Sequence, residues 1–325
     1  MLDVQESLTR AAPVHLRPLN PGRDLLQVAD LIEICFANTM DPDGRDYLRQ
    51  MRLAAREESF LRWSPSVTDG VPMGMGGFVW DENGAITGNL SLIPMIKHAR
   101  RIYLIANVAT HPSQRRRGIG RALTQAAVDF AAQHGASSAW LQVRQDNLPA
   151  FWLYESIGFV ERARRTTWVN EPRYRAQTSD SSTRIAPRSS AEWPMQRQWL
   201  TELYPRDVIW NLPIHPNRFS PGLLNGMARF LFNEPIEHWA AHLGKSLVGL
   251  VTWEPSRTYA DNLWMAASPS SEDLAIRSLL PVIRRLIPSR RPFSLNYPAG
   301  RSGSALSEAG FVENQTLIWM EKPLT

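Results

Sequence analysis

The tetrapeptide Gly158-Phe159-Val160-Glu161 recurs as Gly310-Phe311-Val312-Glu313, and two other features recur with it in the same order. Arg17-Pro18 is echoed by Ala186-Pro187, each in a short strand-like stretch before a helical one, and His111-Pro112 is echoed by Ser268-Pro269. The offsets shrink steadily, from 169 to 157 to 152 residues. Matches that keep their order while the offset falls are what duplication and shortening leave behind, so the second half reads as a shortened copy of the first. The 325 residues suffice for two domains. Residues 172–183, poor in apolar side chains and rich in Ser, Thr and Asp, read as a linker between a domain at 14–171 and another at 184–325.

Composition excludes several classes. Apolar residues make up 43% of the chain, with 12 Trp and 11 Phe, enough for two cores and too much for global disorder. The single cysteine, Cys35, has no internal disulfide partner and reads as a small hydrophobe on the apolar side of the first helix. No Cys and His spacing suits zinc, so no metal is expected. The polar, acid-containing start predicts no secretory leader. No run reaches the roughly 18 apolar residues of a membrane span, so a cytoplasmic protein, monomer or homodimer, is expected. The net charge of +5 is spread over both halves and only Arg115, Arg116 and Arg117 cluster, which argues against a nucleic-acid binder.

Periodicity predicts mixed α and β structure around a sheet. VHLRPLNPGRDLLQVADLIEICF reads as a strand, a turn and a helix with Leu25, Val28, Ala29, Ile32 and Phe36 on one face. Residues 41–64 read as a basic amphipathic helix, and Asn83-Gly84 between two β-like runs signals a hairpin. RIYLIANVAT is a strand ended by His111-Pro112. RALTQAAVDFAAQHG is a helix stopped by Gly135, SSAWLQVR a strand, NLPAFWLYESIG a short helix, and FVERARRTTWVN a strand pair.

The sharpest local feature is SQRRRGIGRALTQA at 113–126, with Arg115-x-x-Gly118-x-Gly120 between a strand and a helix. Two glycines permit tight backbone geometry, successive amides can point at phosphate oxygens, and the helix start adds partial positive charge. The plain alternative is a turn with a solvated charge run. Leu123 stands where a Rossmann fingerprint needs its third glycine, and no Gly-Lys-Ser or Gly-Lys-Thr follows, so neither dinucleotide binding nor triphosphate hydrolysis is indicated.

Together with a second motif, Asn147-x-x-Ala150-x-x-x-Tyr154-x-x-x-Gly158-Phe159, this region resembles the GNAT superfamily of N-acetyltransferases over residues 14–169. The resemblance implies two tandem acyl-CoA N-acyltransferase domains of α/β (α+β, mixed-sheet) class, arranged like mycothiol synthase, although in that relative it is the carboxy-terminal half that is active. It implies acetyl-CoA as cosubstrate, entering where a bulge splays one strand from the next. Val108, Ala109 and Thr110 would meet the acetyl-pantetheine arm. Arg115, Arg116, Arg117, Gly118, Ile119, Gly120 and Arg121 would cradle the pyrophosphate, and Asn147 would lie beside the pantetheine. Tyr154 matches the tyrosine that protonates the departing thiolate in many members, a task suited to a phenol of pKa near 10. Its alternative is packing with Phe151, Trp152 and Phe159.

The carboxylate base of many members has no counterpart: Leu104 stands there, and His111, before a proline, reads as a turn residue. A water relay and a neutral incoming amine both remain open. In the second copy, SSEDLAIRSLL lacks both glycines, carries Glu272 and Asp273 where phosphates need cations, and has Leu306 in the place of Tyr154. It reads as degenerate. Trp63, Trp80, Trp239 and Trp253 read as core residues with an acceptor cleft as the alternative. The function read from the chain is direct acetyl transfer to an amine of a small molecule or protein. The rival is a non-catalytic acyl-CoA sensor or interaction module, and nucleic-acid binding through the arginines stands third, carrying a steep salt dependence.

Overall fold

The computed structural model describes residues 14–56, 76–170, 182–222, 235–287 and 291–324. The chain divides into two compact units, Met1–Arg162 with Ile318–Thr325, and Ala163–Leu317.

The first unit runs β1 (Leu16–Pro18), α1 (Pro21–Phe36), α2 (Pro42–Arg56), β2 (Gly77–Glu82), β3 (Ala85–Lys97), β4 (Arg100–Thr110), α3 (Ile119–Gln133), β5 (Ser138–Arg144) and α4 (Leu148–Ile157). Helix α1 starts on Pro21, where a missing N–H costs nothing, and buries Leu25, Val28, Ala29, Leu31 and Ile32. Asp24 in its first turn is fully buried and takes both terminal nitrogens of Arg17, at 2.6 and 2.9 Å, which ties the helix to β1. The β2–β3 hairpin turns on Asn83 (φ 56°) and Gly84 (φ 90°), as the sequence predicts. Helix α2 ends at Arg56, and the remainder of the helix read over 41–64 lies outside the described residues.

The sheet order is β1-β2-β3-β4-β5 followed by the last strand of the chain, β12 (Phe311–Pro323). Helices α1 and α2 cover one face, with Val79, Ile86 and Ala109 beneath them. Helix α3 covers the other through Leu123, Ala127 and Ala131, each fully buried. A buried leucine contributes about 2 kcal/mol. Gly88 lets α3 approach: a Cβ there would lie 2.7 Å from Ile119 Cγ2 and 3.1 Å from Leu123 Cδ1.

The second unit runs from the end of β6 (Val160–Asn170) through β7 (Arg184–Pro187), α5 (Trp193–Leu203), α6 (Arg206–Ile209), β8 (Glu237–Leu243), β9 (Ser246–Glu254), β10 (Asp261–Ala267), α7 (Glu272–Leu286), β11 (Phe293–Pro298) and α8 (Gly303–Glu308). Its order, β7-β8-β9-β10-β11-β6, repeats that of the first unit position by position. β4 pairs β5 in parallel, and β10 pairs β11 in parallel. Gly249 repeats the role of Gly88, since a Cβ there would lie 2.4 Å from Ala275 Cβ on α7.

The stretch FVERARRTTWVN, expected as a strand pair, is one strand, β6. This strand and β12 are the ones that follow the two GFVE repeats, and each begins in one unit and ends in the other. Lys322 of β12 donates to Ile157 O at 2.8 Å and so caps α4 of the first unit. A boundary at 171 and 184 therefore leaves each unit without the strand that closes its sheet. Residues 171–181 lie outside the described residues.

Candidate active site

β4 pairs with β5 only from Ile102↔Ser138 to Ile105↔Leu141, although β4 continues to Thr110 and β5 to Arg144. Beyond Ile105 the two strands part, leaving backbone groups on facing edges unpaired. On its other side β4 sets Ala106 against Ser91 and Ala109 against Asn89, so that Asn107 and Val108 share the single partner position of Leu90. This is a β-bulge, and Asn107 takes the left-handed φ of 51° that asparagine tolerates. Asn107 Nδ2 donates to Tyr47 Oη at 3.1 Å and Ser91 Oγ at 3.3 Å, while Asn89 Nδ2 donates to Asn107 O at 3.0 Å.

At the end of β4, His111 Nδ1 meets Ser113 Oγ at 2.7 Å and accepts from the Ser113 amide at 3.4 Å, starting a 3-10 turn over Pro112–Gln114. It is the turn residue expected. Arg116 (φ 67°) and Gly118 (φ 81°) then lie in the left-handed region on either side of Arg117. A Cβ at Gly118 would meet nothing within 4 Å, and one at Gly120 would touch Leu153 Cδ2 at 3.4 Å. Gly118 is the N-cap of α3 and offers no side chain, so no side chain caps the first-turn amides of the helix.

The four arginines of this loop divide. Arg115 Nε donates to Thr110 O at 3.3 Å, Arg121 to Ser156 Oγ at 2.7 Å, and Arg117 pairs with Glu82 at 2.9 Å and with Gln114. Arg116 is exposed and has no side-chain partner among the described residues. The space beside Gly118, the open helix start and the free guanidinium fit a pyrophosphate.

Asn147 is the N-cap of α4, its Oδ1 accepting from Ala150 N at 3.3 Å. Tyr154, on α4, is buried and edge-on to Phe159, with ring centroids 6.1 Å apart. The aromatic group expected around it splits: Phe151 pairs with Trp152, which is 58% exposed because it faces outward from the short helix. The Tyr154 hydroxyl has no hydrogen-bond partner among the described residues, and burial raises its pKa above the ordinary phenol range. Cys35 is half-buried rather than buried, packed against the core beneath α1 and α2, and its thiol donates to Thr110 O at 3.3 Å. Trp80, Trp239 and Trp253 are core residues, and Trp63 lies outside the described residues. Sequence reading misses Asn89, which is conspicuous only once β3 and β4 are in register.

The second unit departs at each of these points. β10 pairs β9 without a break over six positions, Asn262↔Glu254 to Ala267↔Gly249, so it has no bulge. Where the first unit presents open amides, the second places Glu272 at the start of α7. This carboxylate is buried and accepts from Tyr297 Oη, Arg301 and, at 3.2 Å, Ser302 Oγ. An open cleft of about 670 Å³ beside it carries Asp273 as well. Leu306 is fully buried.

A sheet whose fourth strand bulges and parts from the fifth above a glycine-bounded helix start defines the acyl-CoA acyltransferase class of fold. The model of the Acetyltransferase (GNAT) family matches residues 26–159. The uncharacterized N-acetyltransferase YhfO of Bacillus subtilis (strain 168) is 31% identical over 119 residues, 36% of this chain and 76% of that protein. The ribosomal protein bS18 alanine N-acetyltransferase of Escherichia coli (strain K12) is 40% identical over 62 residues, 19% of this chain and 42% of the relative, so the chain spans less than half of that relative's length. A crystal structure of a GCN5-related N-acetyltransferase from Sphaerobacter thermophilus superposes with a TM-score of 0.61 at 14% identity, covering 96% of this chain and 97% of that one, a likeness of fold. The chain belongs to the GNAT acetyltransferase family, and its two units have tandem GNAT-like folds. No described helix is long and apolar enough to cross a membrane.

Proposed function

We propose that the first unit transfers the acetyl group of acetyl-CoA directly to an amine, without an acyl-enzyme. The observation that carries this is the opening of β4 from β5 above the Gly118 cradle, which offers an extended ligand unpaired backbone at one end and amides with Arg116 at the other. When bound, acetyl-CoA supplies an acyl group already activated as a thioester. Arg116 and the first-turn amides of α3 hold the anionic end. Backbone groups of Val108 and Thr110 orient the arm and polarise the carbonyl, and Ala109, buried in register with Asn89, holds the strand in place. Tyr154 is protonated through the neutral range, and its phenol gives a proton to the departing sulfur and regains one from the attacking nitrogen as the amide forms; burial makes it a weaker acid than a free phenol and so works against the first of these transfers.

The acceptor is an amine of a protein or a small molecule; the name of the bS18 relative supports a protein amine. The second unit binds no second cofactor, because Glu272 and Asp273 oppose a pyrophosphate. One observation favours a sensor instead: Leu104 stands where a carboxylate base would be.

Calorimetric titration with acetyl-CoA and CoA, followed by thiol release in the presence of pooled amines, tests this. One cofactor per chain with amine-dependent release is expected. Binding without release selects the sensor, and no binding removes the cofactor assignment.

A further inference from the structure

Asn89 is fully buried on β3, and only half of its amide is satisfied. Nδ2 donates to Asn107 O at 3.0 Å, while Oδ1 has no partner among the described residues. Turning the amide over gives no relief, since Oδ1 would then face the Asn107 carbonyl oxygen. A buried orphan acceptor is costly, and an apolar side chain of the same size would avoid it. An asparagine here contributes one thing an apolar residue cannot, a donor to the carbonyl of the bulge.

That carbonyl belongs to the peptide unit joining Asn107 to Val108. The unit is planar and trans, so its C=O and N–H point in opposite directions. Because Asn107 and Val108 share one partner position, their peptide has left the regular β3 ladder and is free to rotate unless something else fixes it. Asn89, paired with Val79 and Ala109 whose side chains lie beneath α1 and α2, draws the oxygen toward that face of the sheet. The Val108 N–H is thereby turned away from that face, on a stretch of β4 beyond its last pair with β5, Ile105↔Leu141. Asn107 accepts the required left-handed φ of 51°, and its own side chain is held by Tyr47 and Ser91.

We infer that Asn89 is a positioning residue that aims the Val108 amide at the thioester carbonyl of bound acetyl-CoA. It touches neither cosubstrate nor acceptor, and acts through one peptide plane. The inference rests on the acetyl-CoA reading of the first unit.

The test is isotope-edited infrared spectroscopy of acetyl-CoA carrying a 13C carbonyl, bound to the full chain, together with the dissociation constants of CoA and acetyl-CoA. Bound to the unaltered protein, the carbonyl stretch is expected at lower wavenumber than in free acetyl-CoA, since a hydrogen bond weakens the C=O bond. In Asn89→Leu the stretch is expected to return toward the free value, with CoA affinity changed less than about threefold, because CoA lacks the carbonyl. Should Asn89→Leu fail to fold, Asn89→Ser answers the same question, as its hydroxyl is too short to reach Asn107 O. A lowered stretch retained in the variant overturns the role of Asn89 and leaves the cofactor reading intact. Failure of the unaltered protein to bind acetyl-CoA overturns both.

Discussion

Cys35 and Arg115, distant in sequence, meet at one acceptor: the thiol of Cys35 and the Nε of Arg115 each lie 3.3 Å from Thr110 O. The contact fixes the end of α1 against the end of β4, where the strand enters the anion-binding loop. Burial raises the Cys35 thiol pKa above its usual value, against the opposing pull of Arg115. Alkylation by iodoacetamide at pH 7.5 is expected to run about tenfold slower than for a free thiol, and slower still with acetyl-CoA present. Rapid alkylation unaffected by acetyl-CoA would show that this junction is open.

Gly118 adopts a φ of 81° with free space around it, so a side chain there meets backbone strain and intrudes where a ligand would sit. Gly118→Val is expected to weaken CoA binding by at least tenfold. The same measurement on Gly120→Ala separates fold from binding. Its Cβ makes only an ordinary 3.4 Å contact with Leu153, so the protein remains folded.

Tyr154→Phe removes a hydroxyl that bonds to nothing among the described residues. Thermal stability is expected to change by no more than about 0.5 kcal/mol, an ordinary effect for a substitution that breaks no contact. Turnover is expected to fall by about 10²-fold with CoA affinity preserved. Full turnover in this variant would reduce Tyr154 to a packing residue.

Burial raises the pKa values of Tyr154, Tyr204 and Tyr297, the last also through its bond to Glu272. A raised folded pKa means the unfolded chain releases these protons first, near pH 10. Stability from this source is therefore complete below about pH 10 and is lost as pH rises further. Denaturant unfolding followed from pH 8 to 11 should be level and then decline, and a midpoint that rises over that range would contradict the assignment.

In the second unit, Glu272→Gln weakens a buried carboxylate that Tyr297, Arg301 and Ser302 all share. A loss of about 1–3 kcal/mol is expected from denaturant titration, since the strongest donors lose a charged acceptor. The calorimetric stoichiometry should stay at one cofactor per chain. Appearance of a second bound cofactor would mean that Glu272 alone closes that site.

Much of the site can be read in the chain because its chemistry is local. Gly118, Gly120 and the arginines are contiguous, and a glycine-bounded helix start has the same meaning in one dimension as in three. The repeat was legible in the order of its features and in the acidic Glu272 and Asp273 of the second copy, whereas the strand order came from the structure. What the chain could not express is anything that depends on pairing between distant strands. Register decides that Asn107 and Val108 share one partner, and that Asn89 lies beneath them with a single bond to make. Charge pairing across strands decides that Arg117 is neutralised by Glu82 while Arg116 stays free. The exchange of β6 and β12 is the same kind of fact: an amphipathic strand carries its own periodicity in sequence, but which sheet it completes is settled only by the edges that remain open to receive its hydrogen bonds.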